Sequence, residues 1–315
     1  MILLTGASGV IGQDLTPRLP QEQLILARHR ARLGASVRQV AIDIRAPDLG
    51  LTAPNYAALA AEIDTIIHCA AITDMSGQVP ELSATNIAGV QHVVEFAQAA
   101  GAKLHFVSTA YCSEKYGPAS PVRSDYVASK RAAEAVVRSS GLDWTIIRPS
   151  IIAGHSETGA IASFQGFHLF IATVLKGRLP IIPVARQTAC DFVAVDWVAG
   201  AIARIVADPE WGRTYWLTAG DAAITIEDMM NTGRPFAEAR GRDLNAVELM
   251  TPDAVEADIL PGLRPRLQER LVILVNLAKV MARKTHFPTD LEAVDKARLQ
   301  RALLANLDFW GAQNG

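Results

Sequence analysis

The stretch "SDYVASK", residues 124–130, sets Tyr126 and Lys130 four positions apart. On a helix these two side chains share one face. A phenol with its ordinary pKa near 10 is a poor acid–base group at neutral pH, and a neighbouring ammonium favours the phenolate and draws that pKa toward a useful range. Upstream, "HFVSTAY" ends an apolar run with Ser108 and Thr109. Their hydroxyls would lie at the carboxyl edge of a sheet, where ligands bind in open α/β folds. Asn86 is suited to bind water or backbone and hold the lysine's proton path. Tyr111 and Tyr116 have no lysine four residues on. The pair is either an ordinary solvated first turn or a proton-transfer device, and a redox cofactor nearby would favour the second.

The glycines supply that cofactor. "LLTGASGVIG", residues 3–12, places Gly6, Gly9 and Gly12 after a strand-like run and at the opening of a helix pattern. A tight turn, close approach of backbone to a pyrophosphate and close helix-to-strand packing each demand a residue without a Cβ. The helix N-terminus adds free N–H groups for phosphate. Strand before and helix after raise the triplet above a flexible turn, and dinucleotide binding is expected. A Rossmann site carries an acidic residue about 20 positions on for a ribose 2′-hydroxyl, or arginine for a 2′-phosphate. Arg28 stands at that place, Arg30 and Arg32 follow, and no Asp or Glu lies between Gln23 and Val40. NADP is therefore expected over NAD, with Asp43 facing the adenine amino group.

The elements that would position these residues alternate along the first half. Ile2–Thr5, Leu24–Ala27, Val37–Ile42, Thr65–Cys69, Lys103–Ser108 and Trp144–Arg148 read as strands. Helix patterns fall near Val10–Leu19, Tyr56–Glu62, Ser83–Ala100 and Tyr126–Ser139. Such alternation implies a doubly wound parallel α/β sheet covered on both faces, and unbroken apolar runs such as "TIIHC" fit strands buried on both sides. We expect a dinucleotide-binding domain over 1–150, with 188–220 returning to it. A smaller, mainly helical substrate-binding portion is expected over 151–315, with N-cap starts at Thr225 and Thr251. "LQERLVILVNLAKVMARK", 267–284, is too short and too charged to span a bilayer and reads as a buried or lid helix.

Composition narrows the class further. The chain has 315 residues, 50% hydrophobic and 20% charged, with formal net charge −2. That balance gives no electrostatic case for nucleic acid or an anionic membrane. Cys69, Cys112 and Cys190 lie far apart, and neither they nor the scattered histidines show metal spacing, so no metal is expected. Cys112 has no activating partner visible in the sequence. Buried thiols and no export signal suggest a cytoplasmic protein. His68 reads as a packed core histidine. His155 and Ser156 are as fit for a pocket as for plain loop structure, and Phe164, Phe167, Leu169 and Phe170 for an acyl site as for core.

Taken together, TGxxGxxG at 5–12, "HCAA" at 68–71, "ATN" at 84–86, "VST" at 107–109, YxxxK at 126–130 and "RPSIIAG" at 148–154 resemble the extended short-chain dehydrogenase/reductases. The resemblance covers the first two thirds well and the last third loosely. "DIRAPDLGL", "VSTAYC", "IIRPSIIAGHSETG" and "DFVAVDWVA" are similar to the thioester reductases and fatty acyl-CoA reductases. The resemblance implies a Thr109–Tyr126–Lys130 triad supported by Asn86, with Ser108 a second choice to Thr109. It extends the implied cofactor contacts to Gly6, Ser8, Gly9, Val10, Ile11, Gly12, Arg28, Asp43, Ile44, Ala70, Ala71, Ser108, Tyr126, Lys130, Pro149 and Ile152. Tyr126 follows Thr109 by only seventeen positions, a compact loop for this group.

The implied activity is NADPH-dependent reduction of a carbonyl, an acyl thioester on CoA or a carrier protein or the aldehyde derived from it, by a protein that pairs into a homodimer. An epimerase, dehydratase, or alcohol or ketone dehydrogenase on a nucleotide sugar or small metabolite shares the fold, though Arg28 counts against tightly held NAD. A catalytically silent, cofactor-sensing regulator would have no use for an intact Tyr126 and Lys130.

Overall fold

A computed structural model describes residues 1–29, 36–73, 79–117, 124–175, 181–282 and 285–314. Arg30 and Arg32 lie outside the described residues, as does the side chain of Leu169. The chain divides into two compact units. The first comprises 1–112, 125–149 and 196–217, and the second 113–124, 150–195 and 218–315. Against the expected boundary at 150 and return over 188–220, the segment rejoining the first unit is 196–217, and 113–124 is assigned to the second.

In the first unit, apolar runs form β1 (Ile2–Thr5), β2 (Leu24–Arg28), β3 (Arg38–Ala41), β4 (Thr65–His68), β5 (Lys103–Val107) and β6 (Trp144–Pro149). A further strand, Thr214–Leu217, lies in the stretch expected to return to this domain and pairs with β6. The order is Thr214–Leu217, β6, β5, β4, β1, β2, β3, and every pairing is parallel. The direction of winding reverses between β1 and β4, the switch point where ligands sit in doubly wound sheets. Parallel pairing requires helical crossovers. They are α1 (Val10–Leu15), α2 (Ala53–Ala60), α3 (Val79–Leu82), α4 (Gly89–Ala100) and α5 (Asp125–Ser139).

The central strands are dry. Leu3, Ile25, Ile66, Leu104, Phe106 and Ile146 are buried in one cluster with Val90, Val93 and Phe96 of α4 and Ala133 and Val137 of α5. Each such side chain contributes roughly 1.5–3 kcal/mol by leaving water. The edge strand β3 is half exposed, and an ion pair between Arg38 and Glu62 occupies its margin, which discourages pairing with another chain. α4 does not run unbroken from Ser83 as its pattern suggests. Ser83–Ala88 is a π-helical turn, the irregularity often found where a helix must present a functional side chain, and it carries Asn86.

The second unit is built from short strand pairs and helices. Ile151–Ala153 pairs with Phe192–Ala194, and Ala189–Cys190 with Ile224–Thr225. Thr225 caps the helix Ile226–Glu238 in a reciprocal capping box with Asp228, so that start was legible. Thr251 caps only the three-residue turn Pro252–Ala254. The helix Pro265–Met281 buries Leu271 and Val275 but leaves Leu267, Val272 and Ile273 exposed, so the expected buried helix is buried on one face only. Among the described residues no helix is long and apolar enough to cross a membrane.

Candidate active site

The glycine turn closes the carboxyl end of β1. Gly6 has φ +73°, and a Cβ there would stand 2.6 Å from the backbone of Cys69 and Ala70, at the end of β4. Gly12 is tighter still, since its Cβ would lie 2.2 Å from the Gly6 carbonyl. Gly9 is exposed, its N–H donating to the Gly6 carbonyl at 2.9 Å, and a Cβ on it would meet only that carbonyl, at 3.2 Å. Gly6 and Gly12 thus fold the loop, whereas Gly9 and Ser8 face outward. Val10 is buried and Ile11 half-buried, so of these two Ile11 has the freer surface. Ala70 and Ala71 are half-buried where β4 ends.

At the end of β2, Arg28 is half-buried, and its Nε is enclosed with no hydrogen-bond partner among the described residues. A buried guanidinium donor without a partner costs free energy unless an anion completes it. Asp43 instead turns back on Arg45, accepting from its backbone N–H and Nε at 3.0 Å and its Nη2 at 2.8 Å. The Arg45 side chain holds the Asp43 carboxyl down at about 2. Arg45 thus takes three of the carboxylate's roughly four acceptor directions. Ile44 packs its side chain within 3.1 Å of where a Cβ on Gly89 would be, and its carbonyl meets His92 Nδ1 at 2.8 Å.

Where β5 ends, Thr109 is buried, its hydroxyl 3.5 Å from the Pro149 carbonyl and 3.4 Å from the Tyr111 N–H, and it lies beside the Tyr126 phenol. Tyr126 is half-buried at the start of α5 with its phenol end enclosed. Burial pushes its pKa up, the Cys112 sulfur adds to that, and the Thr109 hydroxyl opposes it, so the phenol is protonated at neutral pH. Lys130 is buried beneath it. Its ammonium donates to the Val107 carbonyl at 2.8 Å and lies 4.4 Å from the Phe106 ring centre. Burial is the largest influence on the phenol, and the Lys130 ammonium uses one of its three donors on Val107. Burial itself lowers the Lys130 ammonium to about 8, against the opposing influence of Cys112, Glu134 and Cys69.

Asn86 is fully enclosed, and its amide is used on backbone and helix. It accepts from Ile72 N–H at 2.9 Å and donates to the Ile72 carbonyl and Ser129 Oγ, each at 3.0 Å. It therefore ties the segment after β4 to α5, and of its two expected roles the backbone one is realised. The Ser108 hydroxyl lies beside Glu134 and stands 3.6 Å from the Cys112 sulfur, away from the Thr109–Tyr126 pair. His68 is a buried core histidine, bonded to Thr5 Oγ1 at 2.7 Å, and burial pushes its imidazolium down to about 3.

A cluster that sequence reasoning passed over stands behind these groups. Glu134, one turn beyond Lys130, accepts from Arg148 at 2.8 and 2.6 Å and from the Cys112 thiol at 3.0 Å. Arg148 also covers the Trp216 ring at 4.8 Å. The signal was present in the same four-residue spacing that marks Tyr126 and Lys130.

In the second unit, His155 Nδ1 accepts from Glu157 N–H at 3.2 Å within its own loop. Phe167 is buried against Phe192, ring centres 4.9 Å apart, while Phe164 is exposed and stacks on His168. Asp191 accepts from Ala219 and Gly220 N–H at 2.8 and 3.1 Å, and burial pushes its carboxyl up to about 6. It lines a cavity of about 740 Å³ with Gln187, Thr188, Met281, His286 and Phe287.

A doubly wound sheet with a glycine turn at β1 and a Thr–Tyr pair with a lysine at the end of β5 defines an extended short-chain dehydrogenase/reductase of the thioester reductase type. The chain belongs to the family described as Male sterility protein, whose profile matches residues 20–202, more than half of its length. It is 31% identical over 210 residues to the ceramide reductase of Caulobacter vibrioides, covering 66% of this chain and 60% of that protein. It is 32% identical over 171 residues to the trichosetin synthetase PKS-NRPS1 of Gibberella fujikuroi, covering 48% of this chain and 4% of that synthetase. The chain thus spans under two thirds of these relatives. In fold it is similar to the terminal R domain from the myxalamid PKS-NRPS biosynthetic pathway, with TM-score 0.76 and 21% identity over 99% of this chain and 91% of that domain.

Proposed function

We propose that the chain is an NADPH-dependent reductase of a carbonyl, an acyl thioester held on CoA or a carrier protein or the aldehyde derived from it. The observation that carries this reading is the enclosed, protonated Tyr126 phenol with the buried Thr109 hydroxyl beside it, at the carboxyl edge of the sheet that also bears the glycine turn. The partnerless Arg28 Nε and the turn that a Cβ at Gly6 or Gly12 would fill both fit a phosphorylated dinucleotide. Gly6, the exposed Ser8–Gly9 corner, Arg28, Ala70 and Ala71 would hold it, with Lys130 at the nicotinamide ribose. A bound reduced nicotinamide supplies the hydride that the carbonyl carbon needs.

The side chains do the rest. Tyr126 donates its proton to the carbonyl oxygen, and Thr109 shares that oxygen and orients the phenol. With a thioester, the resulting hemithioacetal breaks its C–S bond, its hydroxyl proton passes to the departing sulfur to leave an aldehyde and a thiol, and the Tyr126 phenolate regains a proton from water. The relatives that are PKS-NRPS synthetases favour a carrier-bound acyl group, and the ceramide reductase favours a lipid carbonyl. A panel of acyl thioesters, long-chain aldehydes and lipid ketones, followed by NADPH oxidation, separates these classes. Oxidation with none of them would remove the reading.

Two expectations follow from the same residues. Arg28→Ala should shrink the preference for NADPH over NADH by about 10–100-fold, the worth of a hydrogen bond to a charged group, while leaving NADH binding nearly unchanged. Equal dissociation constants for both cofactors in the unmutated chain would contradict it. Lys130 is charged below about 8 and neutral above, so turnover that needs its ammonium should fall as pH rises through about 8. A pH profile between roughly 6 and 10 should show that limb in the parent and lose it in Lys130→Met.

A further inference from the structure

Tyr126, Lys130 and Glu134 recur at four-residue spacing along α5 and meet one short stretch, Val107–Cys112. Tyr126 has the Thr109 hydroxyl beside its phenol, and Lys130 donates to the Val107 carbonyl at 2.8 Å. Glu134 accepts from the Cys112 thiol at 3.0 Å and has the Ser108 hydroxyl, 3.6 Å from that sulfur, beside its carboxylate, so it reaches residues before and after Thr109. Arg148 holds the Glu134 carboxylate from β6 through two N–H bonds, and Arg131, also on α5, donates to the Cys112 carbonyl at 3.1 Å. The helix bearing the phenol is thereby fastened to the turn bearing the threonine, both before and after the threonine.

We propose that Glu134 is a positioning residue for the proton-donating pair, fixing Ser108 and Cys112 so that the Thr109 hydroxyl meets the Tyr126 phenol. The proposal rests on the reading that this pair serves a carbonyl. A carboxylate suits the task because it only accepts and offers about four lone-pair directions, enough for the two Arg148 bonds, the Arg138 bond at 3.4 Å and the Cys112 thiol together. Glutamine at this position has one accepting oxygen, and its NH₂ confronts the Arg148 donors. The turn around Thr109 then loses its fastening while Thr109, Tyr126 and Lys130 remain in place in the sequence.

A double-mutant cycle tests this, using Thr109→Val, Glu134→Gln and the two combined, read by single-turnover NADPH oxidation. Glu134→Gln should slow the step by about 10–100-fold, the range for a small misplacement of reacting groups, with NADPH affinity changed by less than about twofold. If Glu134 acts through Thr109, the combined variant should be scarcely slower than Thr109→Val alone. Multiplying losses, or a Glu134→Gln rate within about twofold of the parent, would overturn the proposal. Should the unpaired Arg148 prevent folding, Glu134→Gln/Arg148→Met removes the stranded buried charge and replaces the single variant in the cycle. A second readout needs no substrate: 3-fluorotyrosine incorporated at position 126 should show its fluorine resonance moved by Glu134→Gln in the same direction as by Thr109→Val. A resonance unmoved by Glu134→Gln overturns the proposal even if the chain reduces no thioester, a failure that would count against the reductase reading separately.

Discussion

Gly12→Ala should cost the chain nearly all of its NADPH affinity. The added Cβ would stand 2.2 Å from the Gly6 carbonyl and 2.7 Å from Ala7 Cα, separations at which backbone must move. Gly6 cannot retreat, because its own Cα side is already against Cys69 and Ala70 and its φ of +73° is one that residues with a Cβ rarely adopt. The turn must therefore open, and the phosphate cradle with it. A loss of at least about 100-fold in affinity is expected, together with the roughly 1–3 kcal/mol of stability usual for an overpacked site. Gly9→Ala offers the contrast, since its Cβ meets only the Gly6 carbonyl at 3.2 Å. Its stability should hold, and any loss of affinity must come from the ligand side. Calorimetric titration of both folded variants checks the pair, and tight binding by Gly12→Ala would mean that this loop is not the cradle.

Tyr126→Phe removes one hydroxyl and little packing, so NADPH affinity should stay nearly intact while turnover falls by roughly 10²–10⁴-fold, as for a lost general acid. The proposed reduction takes its proton from this phenol, which burial keeps protonated at neutral pH with Thr109 beside it. Thr109→Val should fall between parent and Tyr126→Phe, because the phenol survives but loses its guide. An exposed first-turn tyrosine would predict no change in rate and only a small change in stability. Comparing kcat with the NADPH dissociation constant across these variants separates a chemical role from a binding one.

Much of this arrangement could be read from residue order. The six apolar runs became β1 to β6 with ends shifted by at most a residue or two, because strands buried on both faces leave no room for polar interruption. The added strand Thr214–Leu217 was harder, since it lies far along the chain from β6, its partner, and only long-range pairing makes it part of the sheet. The π-helical turn at Ser83–Ala88 was invisible to an apolar period tuned to 3.6 residues.

The candidate site was legible in residue types and less so in their bonds. Spacing put Tyr126 and Lys130 on one face, but could not say that Lys130 would turn to the Val107 carbonyl, a partner on a different element. Nothing in the sequence said that Arg45 would fold back onto the Asp43 carboxylate two residues before it. Glu134 and Arg148 escaped notice because a charged pair reads as solvated surface until the fold buries both.

The measurement that bears most directly on the reading is a single turnover. The chain is mixed with one equivalent of NADPH and an excess of an acyl-CoA thioester, absorbance of the reduced nicotinamide is followed, and the aldehyde is trapped. The account predicts that one equivalent of NADPH disappears with release of one equivalent each of aldehyde and thiol, and that Tyr126→Phe slows this step by the factor given above. NADPH consumed at an equal rate by Tyr126→Phe, or thiol released without any NADPH consumed, would contradict it.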